Sequence, residues 1–217
     1  MEQRSDEWFE ARLGCVTASR IADVTARTKK GWGAARKSYM DDLIVERLSG
    51  VHVPGGSGAA RRWGQDFEPE AKIAYEFYRN ASIIETGFVP HPTIGDTGAS
   101  PDGLIGDDGL VEFKCPTLST HLETLDVEEI APEYLLQMQW QMACTSRQWC
   151  DFASYDPRFP ESMRLYVKRV PRDNDLIKSL EADVIEFLSE LRQTVARLRA
   201  KYDPEPIDDA VKLQMAG

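Results

Sequence analysis

Ser100-Pro101-Asp102-Gly103-Leu104 is followed, across the turn signal Asp107-Asp108-Gly109, by Leu110-Val111-Glu112-Phe113-Lys114-Cys115-Pro116. Side chains alternate along a strand, so Glu112 and Lys114 share one face while Val111 and Phe113 point into a core. A charged Glu and Lys on an otherwise apolar strand are costly to bury unless each has a partner, and a hard divalent cation is one for the carboxylate. The Asp-Asp-Gly turn predicts a hairpin that returns Asp102 to the side of Glu112. Two carboxylates and a lysine on adjacent strands can hold Mg²⁺ or Mn²⁺ and polarise a phosphodiester. The lysine is then left to orient, or help deprotonate, the attacking water. Taken alone, the pattern more readily describes a turn aspartate and a Glu–Lys pair on a half-exposed strand.

Outward from this hairpin, short apolar runs at Ile83-Ile84, Phe88-Val89, Thr97–Ser100 and Leu104-Ile105 predict further strands of one antiparallel meander. On the N-terminal side, Ser5 with Asp6 and Glu7 marks a helix start carrying Trp8 to Leu13. Thr17 or Ser19 is placed to cap a short helix through Val24, and Lys29-Lys30-Gly31-Trp32-Gly33 reads as a mobile basic loop. Helices are predicted over 35–48 and 62–80, the latter with Pro69 near its first turn, separated by the breaker-rich Val53-Pro54-Gly55-Gly56-Ser57-Gly58. On the C-terminal side, helical spacing covers 133–145 and 173–201, with strands at 149–155 and 164–170. The predicted fold class is α/β, a central mixed β-sheet flanked by helices, as one domain over residues 1–202 with a loose tail at 203–217.

Composition limits what such a chain can do. At 217 residues and 42% hydrophobic content it can bury a substantial core. No stretch approaches the roughly 20 apolar residues of a membrane span, and the first residues are too polar for a signal peptide, so a cytoplasmic protein is expected. Cys15, Cys115, Cys144 and Cys150 form no CxxC pair and read as reduced thiols. The net charge of −10 argues against a protein that simply coats nucleic acid. Yet residues 11–40 carry seven Lys/Arg against the single acid Asp23, while residues 121–133 carry five acids and no Lys or Arg. A focused basic entry with acidic outer faces suits an enzyme acting on a polyanion, although two ordinary solvated faces would look the same.

Five ordered segments resemble the lambda-exonuclease family of viral recombinases, within the PD-(D/E)xK nuclease superfamily. They are Trp8-Phe9-Glu10-Ala11-Arg12 through Ser19, Trp63-Gly64-Gln65-Asp66-Phe67-Glu68, Ser100 to Leu104, Leu110 to Pro116, and Tyr134-Leu135-Leu136-Gln137-Met138-Gln139. Trp149 to Arg158 fits as well. The resemblance implies a restriction-endonuclease-like core and a 5′→3′ exonuclease on linear double-stranded DNA. It implies release of mononucleotides and 3′ overhangs for single-strand-annealing recombination.

Residue by residue, the resemblance implies Asp102 and Glu112 as metal ligands joined by the Phe113 carbonyl, with Lys114 positioning the water. Glu68 would support a second Mg²⁺ ion, and Tyr134 would lie near the scissile phosphate. Arg12, Ser19, Ser100 and Gln137 would gather around the 5′-phosphate. It further implies a toroidal homotrimer, a single-strand annealing protein as partner and a phage or prophage source. Arg61 stands where the family carries an apolar wedge for the duplex fork, which puts strand separation by that residue in doubt. An endonuclease or repair nuclease of the same superfold, or a catalytically silent DNA-end-binding module, are the rival readings.

Overall fold

The computed structural model describes residues 2–54 and 58–202, excluding the side chains of 59–61. The expected tail at 203–217 and the wedge-position side chain of Arg61 lie outside the described residues. The chain opens with α1 (Asp6–Arg12), capped as expected by the Ser5 side chain, which accepts from the Trp8 amide. β1 (Val16–Thr17) leads through a 3-10 turn at Ala18–Arg20 into α2 (Ile21–Val24), and Thr17 makes no capping side-chain bond there. β2 (Arg27–Thr28) and β3 (Gly31–Trp32) form a two-stranded hairpin where a mobile loop was expected. The guanidinium groups of Arg27 and Arg36 each lie 3.8 Å from the Trp32 ring centroid, which gives the hairpin packing that its sequence alone does not advertise.

α3 (Ala34–Ser49) is followed by α4 (Gly58–Arg79), which begins four residues before the expected Arg62. Pro69 is therefore in the interior of α4 rather than its first turn. Its missing N–H leaves the carbonyl of Gln65 without a helical donor next to Glu68.

The expected single meander is divided between two sheets. β4 (Ile83–Ile84), β7 (Gly103–Ile105) and β8 (Gly109–Lys114) join β9 (Trp149–Tyr155) and β10 (Leu165–Pro171) in the order β10-β9-β8-β7-β4. β5 (Val89–Pro90) and β6 (Thr97–Ala99) instead join β1. The division falls at Ser100-Pro101-Asp102, where the proline removes a ladder donor and the chain passes from one sheet to the other. β8 and β9 run parallel, so a crossover is required. It is made by α5 (Leu118–Val127), which the sequence reading did not anticipate, and α6 (Pro132–Thr145). α7 (Asn174–Tyr202) closes the described chain.

β8 is buried on both faces. Val111 and Phe113 pack with Ala71 and Tyr75 of α4, whereas Leu110 packs with Met138 and Met142 of α6. Glu112 is only 3% exposed, so the strand is not the half-exposed one of the plainer reading. α6 is covered on all sides, with Gln137 to Cys144 buried without interruption. It separates the five-stranded sheet from a helical core that includes Ile21, Tyr39, Val184 and Phe187.

Gly109 opens β8 directly over the Trp149 ring, where an added Cβ would lie 2.0 Å from a ring carbon. The ring has little freedom to retreat, because the Arg169 guanidinium stacks 3.4 Å from its centroid and its Nε1 donates to Asp108 Oδ1 at 3.2 Å. Gly109→Ala is accordingly expected to destabilise by about 1–3 kcal/mol through overpacking. Urea denaturation checks this, and an unchanged midpoint would refute it.

Candidate active site

The β7–β8 hairpin pairs Gly103 with Val111, which carries Asp102 alongside the end of β8. Asp102 Oδ2 accepts from the Phe113 amide at 2.8 Å, so the predicted return of this carboxylate to Glu112 is observed. The N-terminal arm fixes the preceding residue, since Gln3 Nε2 donates to the Pro101 carbonyl at 2.8 Å.

Glu112 projects from β8 beneath α6 and is held from three sides. Lys114 Nζ and Gln137 Nε2 each donate to Oε1 at 2.6 Å, and Gln141 Nε2 donates to Oε2 at 2.6 Å. Gln137 Oε1 also accepts from Lys114 Nζ at 3.1 Å. Gln137 and Gln141 are one helical turn apart, which places both amides on the face of α6 that looks at β8. Tyr134, a turn earlier, stacks on Phe152 and leaves its ring centroid 4.7 Å from Lys114 Nζ.

The electrostatics are those of crowded carboxylates. Desolvation, then Glu112 and Glu68, push the Asp102 carboxyl well above the usual range, against the pull of Lys114 and the Phe113 amide. Burial alone would lower the Lys114 ammonium, but Glu112 and Asp102 outweigh it and raise it. Lys114 therefore stays cationic at neutral pH, suited to orienting a water rather than taking its proton.

Hard oxygen donors with too little positive charge among them fit a divalent cation such as Mg²⁺. Asp102 and Glu112 are the side chains that would hold it. Among the described residues, no group of three His, Cys, Asp or Glu side chains is poised to hold a metal ion. Glu68 reaches the cleft as an ion pair, its carboxylate 2.7 Å from Arg4 and 3.3 Å from Lys72.

Arg12 ends α1 with its guanidinium 4.0 Å from the Trp8 ring centroid. It donates to Ser100 Oγ at 3.0 Å, an oxygen that also accepts from Trp8 Nε1 at 2.9 Å. Burial lowers the Arg12 pKa, and among the described residues no carboxylate lies within ion-pair distance of it. A half-buried guanidinium without an anion is costly, and phosphate matches its fork geometry. Most other cations of the basic segment are already paired: Arg20 with Asp23 and Asp42, Arg27 with Asp183, Arg36 with Glu190, and Lys37 with Asp41. The local charge excess is thus largely spent on structure, leaving Arg12 and the exposed Lys29 and Lys30.

All ten residues singled out from the sequence, namely Arg12, Ser19, Glu68, Ser100, Asp102, Glu112, Phe113, Lys114, Tyr134 and Gln137, line one cleft of about 440 Å³. Two participants escaped the sequence reading. Trp8 was seen only as part of a motif, not as the platform under Arg12. Gln141 was not singled out, although a glutamine four residues after Gln137 on an otherwise apolar helix is a signal of a shared polar face. The four cysteines are free, and none forms a disulfide.

Residues 7–148 match the YqaJ-like viral recombinase domain. An alkaline exonuclease from Laribacter hongkongensis is 48% identical and superposes with a TM-score of 0.85, covering 91% of this chain and 97% of that one. The structure of the same exonuclease with dAMP matches equally well. A phage-related exonuclease from Haemophilus somnus 129PT, 15% identical, shares the fold with a TM-score of 0.68, over 85% of this chain and 96% of that one. No curated protein matches the chain.

Proposed function

We propose, from the premise that the chain belongs to the YqaJ-like viral recombinase family and is an exonuclease, that it degrades one strand of linear double-stranded DNA from the 5′ end. The reaction is Mg²⁺-dependent, with Mn²⁺ as a substitute, and it releases 5′-mononucleotides and leaves 3′ single-stranded overhangs. The observation that carries this reading is a half-buried Arg12, with no carboxylate among the described residues in ion-pair contact with it, in the same cleft as Asp102, Glu112 and Lys114. The Laribacter relative's complex with dAMP, a 5′-mononucleotide, supports the product class.

Asp102, Glu112 and the Phe113 carbonyl would hold the cation, with Glu68 supporting a second one once released from Arg4. The bound cation would supply Lewis-acid polarisation of the scissile phosphate and a more acidic water. Lys114 orients the attacking water, and Tyr134 covers the lysine from the α6 side. Water oxygen joins phosphorus as the P–O3′ bond breaks, so the shortened strand keeps a 5′-phosphate. Each cut thereby regenerates the group that Arg12, Ser19, Ser100 and Gln137 would bind. The same reading carries a homotrimer around DNA, a single-strand annealing protein as partner, and the cytoplasm of a cell bearing a phage or prophage.

Initial rates on linear duplexes with and without a 5′-phosphate test the proposal. Phosphorylated ends should be preferred, and Arg12→Ala should slow them about 10- to 100-fold, the worth of one charge-assisted contact, while erasing the preference. Equal rates on both ends by the unaltered protein would remove the Arg12 pocket. Rapid cutting of closed circles would replace the exonuclease with an endonuclease.

A further inference from the structure

We propose that Gln141 is a positioning residue that sets the divalent-cation affinity of Glu112; this rests on the cation-dependent reading above. Gln137 faces the cleft, whereas Gln141 is fully buried behind Glu112 and takes no part in lining it. Its neighbours on α6, Met138 and Met142, are buried in one apolar cluster with Leu110 and Cys150. An amide in such a place is costly unless it is satisfied. Among the described residues its carbonyl oxygen has only a weak donor, the Cys150 thiol at 4.0 Å. The strong bond of the side chain is the 2.6 Å contact to Glu112 Oε2.

That contact fixes the plane of the carboxylate from the side the substrate cannot reach. When Glu112 Oε1 turns from Lys114 and Gln137 to a cation, Oε2 keeps its donor and the carboxylate keeps its orientation. Partners of this kind, behind a ligand rather than on the ion, commonly set affinity by about 10- to 100-fold.

The test is Mn²⁺ binding by the full chain without DNA, followed by titration calorimetry, beside the Mg²⁺ dependence of cleavage. Gln141→Met keeps the volume and removes the donor, and should weaken Mn²⁺ binding about 10- to 100-fold with KM for DNA unchanged. Gln141→Ala removes more packing but leaves room for a water to donate to Oε2, and should lose less Mn²⁺ affinity than Gln141→Met. A purely structural role predicts the reverse order. Gln139→Met supplies the contrast, because Gln139 bonds the Pro171 carbonyl and the Asp173 amide. It should lower the melting temperature and leave Mn²⁺ affinity intact. Wild-type affinity in Gln141→Met, or a larger loss in Gln141→Ala, would overturn the assignment while sparing the cation site. No Mn²⁺ binding by the unaltered chain would overturn both.

Discussion

Lys114→Ala is expected to lower the rate of nucleotide release from linear duplex DNA by at least about 10²-fold, with only a small change in melting temperature. The two effects separate because of how Glu112 is held. Without the lysine, Glu112 still accepts from Gln137 and Gln141, each at 2.6 Å, so no bare buried carboxylate is created. What is lost is the cation that remains charged beside Asp102 and Glu112 and can orient water. Loss of one preorganised charge or proton-handling group typically costs 10²–10⁴-fold. Glu112→Gln should be equally inactive, since it keeps the shape and removes the charge. The comparison needs Mg²⁺-dependent release of mononucleotides beside a thermal melt of each variant. A Lys114→Ala protein within tenfold of the unaltered rate would sink the role of this residue.

The separation of activity from stability also explains what the sequence could reveal. Glu112 and Lys114 are two residues apart on a strand, so their shared face follows from covalent geometry, and Asp102 follows from the hairpin. These relations are local. The cap at Ser5 and the strand at 149–155 were legible for the same reason, as were, to within one residue, the limits of α6 and of the strand expected at 164–170 and found at 165–171. The division of the meander was not, because whether β6 pairs with β7 or with β1 depends on a parallel partner some eighty residues earlier, Val16 opposite Thr97. Likewise the charge of the basic segment fits either a polyanion entry or an ordinary solvated face, and the sequence does not show that Asp183 and Glu190, both on α7, neutralise Arg27 and Arg36. Charge counted along a chain omits partners brought in by folding. α5 was missed because its acids and threonines resemble an exposed loop. It is His121, bonded to Ser154 and to the Met163 carbonyl, that anchors it. Gln141 was obscured differently: a buried amide announces itself only once the carboxylate opposite it is known.

Asp151→Ala should destabilise the fold by about 3 kcal/mol, and it acts through the strand beside β8. Asp151 is fully buried on β9, opposite Val111 of β8 and Arg169 of β10. It accepts from the Tyr75 hydroxyl at 2.9 Å, from Arg169 Nε at 2.8 Å and Nη2 at 3.1 Å, and lies 3.2 Å from Arg79. One carboxylate thus ties α4 and β10 to β9. Arg79 and Arg169 reach solvent and can rehydrate when it is removed, which limits their share of the cost. Tyr75 cannot, being wholly buried, and an unsatisfied buried hydroxyl costs about 1–3 kcal/mol in addition to the lost charge-assisted bonds. At roughly 2–4 °C per kcal/mol for a chain of this size, melting should fall by about 6–12 °C. Asp151→Asn keeps an acceptor for Tyr75 and should lose less. A melting temperature within 2 °C of the unaltered protein for Asp151→Ala would show that the network adds nothing net. If the drop is found, activity measured well below the lowered transition should still be present, because Asp151 touches neither Glu112 nor the cleft and its influence on the reaction passes only through the stability of β8.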